Sequence, residues 1–287
     1  FVDMIMARDV NQRKEVLKKL LPLLKDDFVQ ILKAMEGYKV TIRLFDPPLH
    51  EFLPSSKNKK VLARAKELEE VNPMMGHRGV RLGITYPEIY EMQIRAVFEA
   101  TAKLVKKKID AKPQIMIPQV GSIEELNHIK SIYDNVKSDI EKKYRTKFKI
   151  NFGTMLEVVR ACLTSDELAK TAEFFSFGTN DLTQAVFSFS REDAESKFLE
   201  EYKKKEILEI SPFQSIDENG VGNLMDIAVS RGRKIKSDLE IGICGEHGGD
   251  PDSIRFCHSA DISYVSASPF RIPVAIVAAA QAAINKK

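Results

Sequence analysis

The chain has almost no net charge. Its 44 Lys and Arg stand against 41 Asp and Glu, leaving +3, so global charge gives no argument for a nucleic-acid partner. No apolar run approaches the roughly 20 residues that cross a bilayer, and no secretory signal is evident, so no membrane partner is expected. Cysteine is scarce: Cys162, Cys244 and Cys257 are odd in number and lack Cys-x-x-Cys spacing. Reduced thiols and a cytoplasmic location are the expectation. There is no zinc-finger spacing, no Gly-x-x-x-x-Gly-Lys-Ser/Thr loop and no Gly-x-Gly-x-x-Gly after a strand, so nucleotide binding within this chain has no support. What is present is ordinary: 287 residues, 44% hydrophobic and 30% charged, enough for one α/β barrel or two ordinary domains with a sizeable core. The chain begins with Phe1 and not Met, so a fragment of a longer protein is expected.

Periodicity divides the sequence into alternating strands and helices. Asn11 to Leu21 and Asp26 to Glu36 read as two helices parted at Pro22, the second closing at Gly37. Tyr38 to Leu44 reads as a strand ending at Phe45-Asp46-Pro47-Pro48. A charged helix is expected over Lys57 to Glu70, then a turn-rich segment with Gly76 and Gly79 on either side of His77 and Arg78. Val80 to Ile84 suggests a short strand, and Pro87 opens a helix to about Lys107. Pro113 to Val120 contains a buried strand, and a Ser122-x-x-Glu125 box starts a helix to about Tyr144. Ile150 to Leu156 is the next strand. A Thr164-x-x-Glu167 box then predicts a helix before Phe174-Phe175-Ser176-Phe177, a run that suits a strand buried on both faces. Residues 189–237 form a polar excursion before the strand Leu239 to Ile243. Asp261 to Ser266 is the last strand candidate, and Pro273 to Ile284 makes a helix apolar almost all round, which predicts burial in the core or against a partner. Six strands, near Thr41, Ile115, Phe152, Phe175, Ile241 and Val265, fall short of the eight that close a parallel barrel. The expected fold is an (α/β)8 TIM barrel, incomplete at the N-terminus and missing its first two strands.

Chemistry gathers where these strands stop, which is where ligands bind in parallel α/β folds. Glu157 and Asp181 are carboxylates at successive strand ends, each preceded by a Gly-Thr pair, at Gly153-Thr154 and Gly178-Thr179. Hard cations such as Mg²⁺ take one or two such carboxylates and leave the remaining positions to water and substrate. Helix N-capping is the plainer alternative for Asp181. Arg43 and Arg78 offer guanidinium forks for a phosphate or carboxylate, or else are partners of Asp46 or Glu51. His77 could join them, or be structural. Cys244, in the flexible surround Gly245-Glu246-His247-Gly248-Gly249, is a credible acid/base, whereas Cys162 and Cys257 read as small buried hydrophobes.

Several stretches extend these hints. Arg43-Leu-Phe-Asp-Pro-Pro-Leu-His-Glu-Phe52, Asn72-Pro-Met-Met-Gly-His-Arg-Gly79, Thr85-Tyr-Pro-Glu-Ile-Tyr90, Phe174-Phe-Ser-Phe-Gly-Thr-Asn-Asp-Leu-Thr-Gln184, Gly242-Ile-Cys-Gly-Glu-His-Gly-Gly-Asp-Pro251 and Tyr264-Val-Ser-Ala-Ser-Pro-Phe-Arg271 closely resemble the carboxy-terminal domain of the pyruvate, phosphate dikinase family of PEP-utilising enzymes. The resemblance covers essentially the whole chain. It implies a single phosphoenolpyruvate/pyruvate-binding barrel domain over residues 1–287. It also implies a phosphotransferase reaction in which ATP, phosphate and pyruvate give AMP, pyrophosphate and phosphoenolpyruvate. A phosphohistidine on a swivelling domain would carry the phosphoryl group from a nucleotide-binding domain, both outside this chain, and a homodimer is implied.

By the same resemblance, Glu157 and Asp181 match Mg²⁺ ligands and Arg43 and Arg78 match the arginines on the transferring phosphoryl group. Gly178, Thr179 and Asn180 match substrate-binding positions, and Cys244 the acid that protonates pyruvate enolate at carbon. An ordinary thiol is mostly protonated at neutral pH and can supply that proton. Val159 departs from the family's proline after the metal-ligand glutamate, and Ser55 to Glu70 is shorter than usual. Phosphoenolpyruvate synthase shares Gly-Thr-Asn-Asp-Leu-Thr-Gln and is an alternative; an assembly or dimerisation module without catalysis is an alternative of another class.

Overall fold

The computed structural model describes residues 1–54 and 58–285. The chain divides into two compact units, residues 1–119 with 124–152, and residues 120–123 with 153–287. Both are α/β, and the described residues contain six strands, one at each of the six expected places.

In the first unit β1 (Lys39–Arg43) and β2 (Lys112–Ile117) run parallel, with Lys39 opposite Lys112 and Arg43 opposite Met116. The helix Val10–Ala34 is started by Asp9, whose carboxylate accepts the Gln12 N–H at 2.9 Å. It packs on the helix Pro87–Val105, where Leu32, Ala100, Leu104 and Ala111 form a buried cluster. The expected break at Pro22 does not occur: one 25-residue helix runs through it. Proline deprives only the Lys18 carbonyl of its helical partner, and both residues lie on the exposed side, where water can serve that carbonyl. Packing along the opposite face holds the helix together. Val80 to Ile84 also departs from expectation, being part of the helix Gly79–Thr85, with Val80, Leu82 and Gly83 buried. So short an apolar run does not distinguish strand from helix. The charged helix is Lys59–Leu68; its expected start at Lys57, and part of the Ser55 to Glu70 stretch, lie outside the described residues.

In the second unit, β3 (Asn151–Leu156) from Gly153 on, β4 (Phe174–Gly178), β5 (Glu240–Cys244) and β6 (Tyr264–Val265) form parallel pairs in sequence order. Phe174, Phe175 and Phe177 are fully buried, as a strand covered on both faces requires. The register sets Leu156 opposite Phe177, Gly178 opposite Cys244 and Ile243 opposite Val265, so the chemistry-bearing residues leave the strands at one level. The Thr164 box does not form: the Thr164 hydroxyl donates to Arg160 O at 2.9 Å, and the helix that follows, Ser165–Ala169, has no side-chain cap. The helix Ile272–Asn285 buries one stripe, Ala275, Ala278 and Ala282, the first two packed with Ile254. Ile276, Val277 and Ile284 stay exposed, so the apolar helix is not sunk in the core of its unit. Among the described residues no helix is long and apolar enough to cross a membrane.

Candidate functional site

The first unit brings its two predicted arginines to one carboxylate. Arg43 closes β1, and the backbone turns at Leu44-Phe45 to present Asp46, which is only 2% exposed. Arg78 precedes the helix Gly79–Thr85 and is fixed there because the Gly79 N–H donates to Asp46 O at 2.9 Å. Asp46 Oδ2 then takes Arg78 Nη2 at 2.5 Å and Arg43 Nη1 at 3.1 Å. The Arg78 pair is buried, so its attraction must offset desolvation of both charges. Arg43 is about half exposed. His77 is engaged elsewhere: its N–H donates to both Glu70 oxygens at 2.8 and 3.0 Å, and its Nε2 lies 2.5 Å from Thr85 Oγ1. That favours the structural alternative for this histidine.

The second unit gathers the other predicted residues at the ends of β3, β4 and β5. Glu157 follows β3 directly and is buried. Its carboxylate lies against Gly178: a Cβ built there would stand 2.5 Å from Glu157 Oε2 and 2.8 Å from Met155 Sδ. Only glycine leaves that space open. Gly178 is also the N-cap residue of the helix Thr179–Phe187, without a side-chain cap, so Asp181 sits inside the first turn and is not the N-cap. The helix dipole favours a carboxylate there, and Asp181 Oδ1 accepts from Gln184 Nε2 at 3.3 Å. The repeat of Gly-Thr pairs is not a structural repeat: Gly153-Thr154 lies within β3, with Thr154 opposite Phe175, whereas Gly178-Thr179 ends β4.

Cys244 closes β5, and its thiol donates to Phe177 O at 3.5 Å. The backbone after it is held tightly. Thr179 Oγ1 donates to Cys244 O at 3.0 Å, and the Glu246 N–H donates to Asn180 Oδ1 at 3.3 Å. Gly245 takes φ +111°, and a Cβ on it would stand 2.8 Å from Thr179 Oγ1. His247 is fully buried, with Nδ1 2.8 Å from Thr179 Oγ1 and Nε2 2.9 Å from Pro212 O. Burial pushes its pKa down, opposed by the Pro212 carbonyl and by Asp250 and Glu246.

Beside Asn180 and Gly245 lies a cavity of about 760 Å³, also lined by Arg191, Phe213, Glu246 and Arg271. Arg191 forks onto Glu246 at 3.0 and 2.7 Å, reaches Glu195 at 3.1 Å, and lies over the Phe213 ring. The fork holds the Glu246 carboxyl below its ordinary range and raises the Arg191 guanidinium. Arg191 escaped the sequence reading, and Arg271 entered it only as the end of the Tyr264–Arg271 stretch, with no site role. Arg191 belongs to the polar excursion, where the available signal was Ser190, whose hydroxyl accepts the Asp193 N–H and starts the helix Arg191–Lys197.

No cluster of three or more His, Cys, Asp or Glu able to hold a metal occurs among the described residues. Two carboxylates, one in a cradle that a Cβ would fill, are nonetheless the donor set that Mg²⁺ takes when water and substrate complete its shell.

The family model described as PEP-utilising enzyme, PEP-binding domain matches residues 3–284. The chain belongs to this family. Relatives of the PEP-binding domain include proteins named pyruvate, phosphate dikinase from Entamoeba histolytica, 50% identical over 99% of this chain, and from Clostridium symbiosum, 49% identical over 99%. One from Rhizobium meliloti is 49% identical, also over 99%. The chain spans about a third of their length, 34%, 34% and 33% respectively. A solved citrate lyase from Burkholderia xenovorans is 11% identical over 66% of this chain and 53% of its own, at a TM-score of 0.42, too distant to bear on fold or function.

Proposed function

We propose that this PEP-binding domain is the phosphoenolpyruvate/pyruvate half-site of a pyruvate, phosphate dikinase, a phosphotransferase. The observation that carries the reading is the identity of about half of all positions with dikinase relatives along the entire chain. The geometry of the second unit supports it. In this reading the strands are six of the eight of an (α/β)8 barrel.

Arg43 and Arg78 bind the oxygens of the phosphoryl group and draw off its charge. Asp46 holds both guanidinium groups until the anion arrives and shares them afterwards. Gly178, Thr179 and Asn180 orient the three-carbon acid. Glu157 and Asp181 are the residues that would hold Mg²⁺, and the bound ion supplies positive charge for the enolate and carboxylate oxygens. Cys244, whose Sγ lies 3.5 Å from Phe177 O, gives its thiol proton to the methylene carbon of the enolate. The reverse transfer takes a methyl proton from pyruvate. The donor of the phosphoryl group is a phosphohistidine on another domain of the parent protein.

The test uses the intact protein. Mg²⁺-dependent exchange of pyruvate methyl protons, followed by NMR, is expected in the wild type and lost in Cys244→Ala, with phosphoenolpyruvate binding kept. Wild-type exchange in Cys244→Ala would assign the acid elsewhere, and absence of Mg²⁺-dependent phosphoenolpyruvate binding would refute the half-site itself. Turnover that does not require inorganic phosphate would favour a phosphoenolpyruvate synthase.

A further inference from the structure

The Thr179 hydroxyl has one proton and two acceptors. It reaches Cys244 O at 3.0 Å and His247 Nδ1 at 2.8 Å. The other ring nitrogen decides what Nδ1 can do. Pro212 O only accepts, so the 2.9 Å contact requires a proton on His247 Nε2. A neutral ring therefore presents a bare Nδ1 to the threonine, and burial keeps this ring neutral near pH 7. The Gly245 α-carbon lies close beside this hydroxyl: any Cβ there would stand 2.8 Å from Oγ1. The single hydroxyl proton, shared between these two acceptors in a three-centre hydrogen bond, thus ties the backbone on both sides of Gly245, the Cys244 carbonyl before it and the His247 ring after it.

We propose that His247 is a positioning residue for Cys244, acting through the Thr179 hydroxyl. The ring is anchored to the excursion at Pro212 and fixes where the hydroxyl oxygen stands. That oxygen in turn fixes the carbonyl of the residue that carries the thiol. The ring touches no reacting atom. Its proton stays on Nε2, and its effect is to stop the Gly245 turn from rotating the thiol out of line with its target. A thiol displaced by about 1 Å can lose on the order of 10²-fold in rate, because proton transfer to carbon tolerates little misalignment. The inference rests on Cys244 being the proton donor, and its test includes a readout that needs no substrate.

Thr179→Val keeps the side-chain shape and deletes the hydroxyl; Thr179→Ser keeps the hydroxyl. In the intact protein, methyl-proton exchange in Thr179→Val is expected to fall by about 10²-fold, and in Thr179→Ser to return to within about tenfold of the wild type. His247→Gln, which cannot serve both neighbours, is expected to lower the exchange rate while leaving the half-saturating pyruvate concentration in place. Burial pushes the Cys162 and Cys257 thiols up to about 12, so alkylation by iodoacetamide in the folded protein reports Cys244. Its rate is expected to change in Thr179→Val and to be restored in Thr179→Ser. With ¹⁵N-histidine, His247 is expected as the Nε2–H tautomer, with the Nδ1 signal moved toward that of an unbonded nitrogen in Thr179→Val. The proposal is overturned by a proton on Nδ1 in place of Nε2, or by a Val variant whose thiol reacts and exchanges as the wild type does. If the wild type shows no exchange while the tautomer and alkylation results hold, the positioning stands and the assignment of Cys244 as the proton donor falls.

Discussion

The two clusters place charge in opposite ways. In the first unit Arg43 and Arg78 converge because a buried carboxylate, Asp46, attracts both. In the second unit Glu157 is placed by strand register and by the absence of a side chain at Gly178, and Cys244 is held by hydrogen bonds with neutral groups, accepting from Thr179 and donating to Phe177 O. The cations arrive with a counter-charge they must share when an anion binds. The carboxylate is buried against the bare α-carbon of Gly178. Charge attraction tolerates small displacements, whereas space set by one missing Cβ does not, so the two clusters should fail differently when disturbed.

The sharpest contrast comes from a single methyl group. Gly178→Ala puts a Cβ 2.5 Å from Glu157 Oε2 and 2.8 Å from Met155 Sδ, and the carboxylate must move. Mg²⁺-dependent phosphoenolpyruvate binding, measured by calorimetric titration, is expected to vanish as completely as in Glu157→Ala. Overpacking of this kind adds about 1–3 kcal/mol of destabilisation. Retained binding would show that space at Gly178 does not place Glu157. The first unit should respond in stability. Asp46→Asn leaves the Arg78 guanidinium, 6% exposed, without its full counter-charge, and denaturant unfolding should show a loss of about 3–5 kcal/mol. Arg43→Gln removes a half-exposed contact with the same oxygen and should cost about 1 kcal/mol or less. Equal losses from the two changes would mean that burial does not separate the arginines.

Elements whose periodicity agreed with their surroundings were readable in the sequence. The Phe174–Phe177 run is the fully buried strand its composition indicates, and strands occur at all six expected places. Misreadings arose where packing outweighed a local signal. Pro22 reads as a break, but it lies on the water side of a helix whose other face is packed. Thr164 has the composition of a cap and spends its hydroxyl on Arg160 O. The Ile272–Asn285 helix is apolar all round, yet only its alanine stripe is buried in its unit. Within the site, Gly178 was visible as a motif residue, while its mechanical reason, the Glu157 carboxylate against its α-carbon, depends on the β3–β4 register. Arg191 and His247 were harder. One comes from a segment without periodicity and the other acts through Thr179, 68 residues away, a separation that no local pattern encodes.

The smallest effect concerns how the second cluster tolerates acid. His247 is surrounded by Thr179, the Pro212 carbonyl, and the charges of Glu246, Asp250 and Arg191; desolvation is the largest influence, and its pKa lies below the ordinary 6.5 in the folded protein. Above that ordinary value the ring is neutral in both folded and unfolded chains, and its contribution to stability is fully present. As the pH falls below about 6.5 the unfolded chain takes up a proton that the folded ring refuses, so stability declines, until the folded ring protonates and the decline ends. Denaturant unfolding of the wild type should therefore weaken more steeply between about pH 7 and about pH 5 than that of His247→Gln, which has no ring to titrate. Identical slopes would mean that the folded ring takes its proton as readily as the unfolded one. The neutral Nε2–H ring invoked to steady Cys244 would then lose its energetic basis, and the second cluster would depend on its glycines alone.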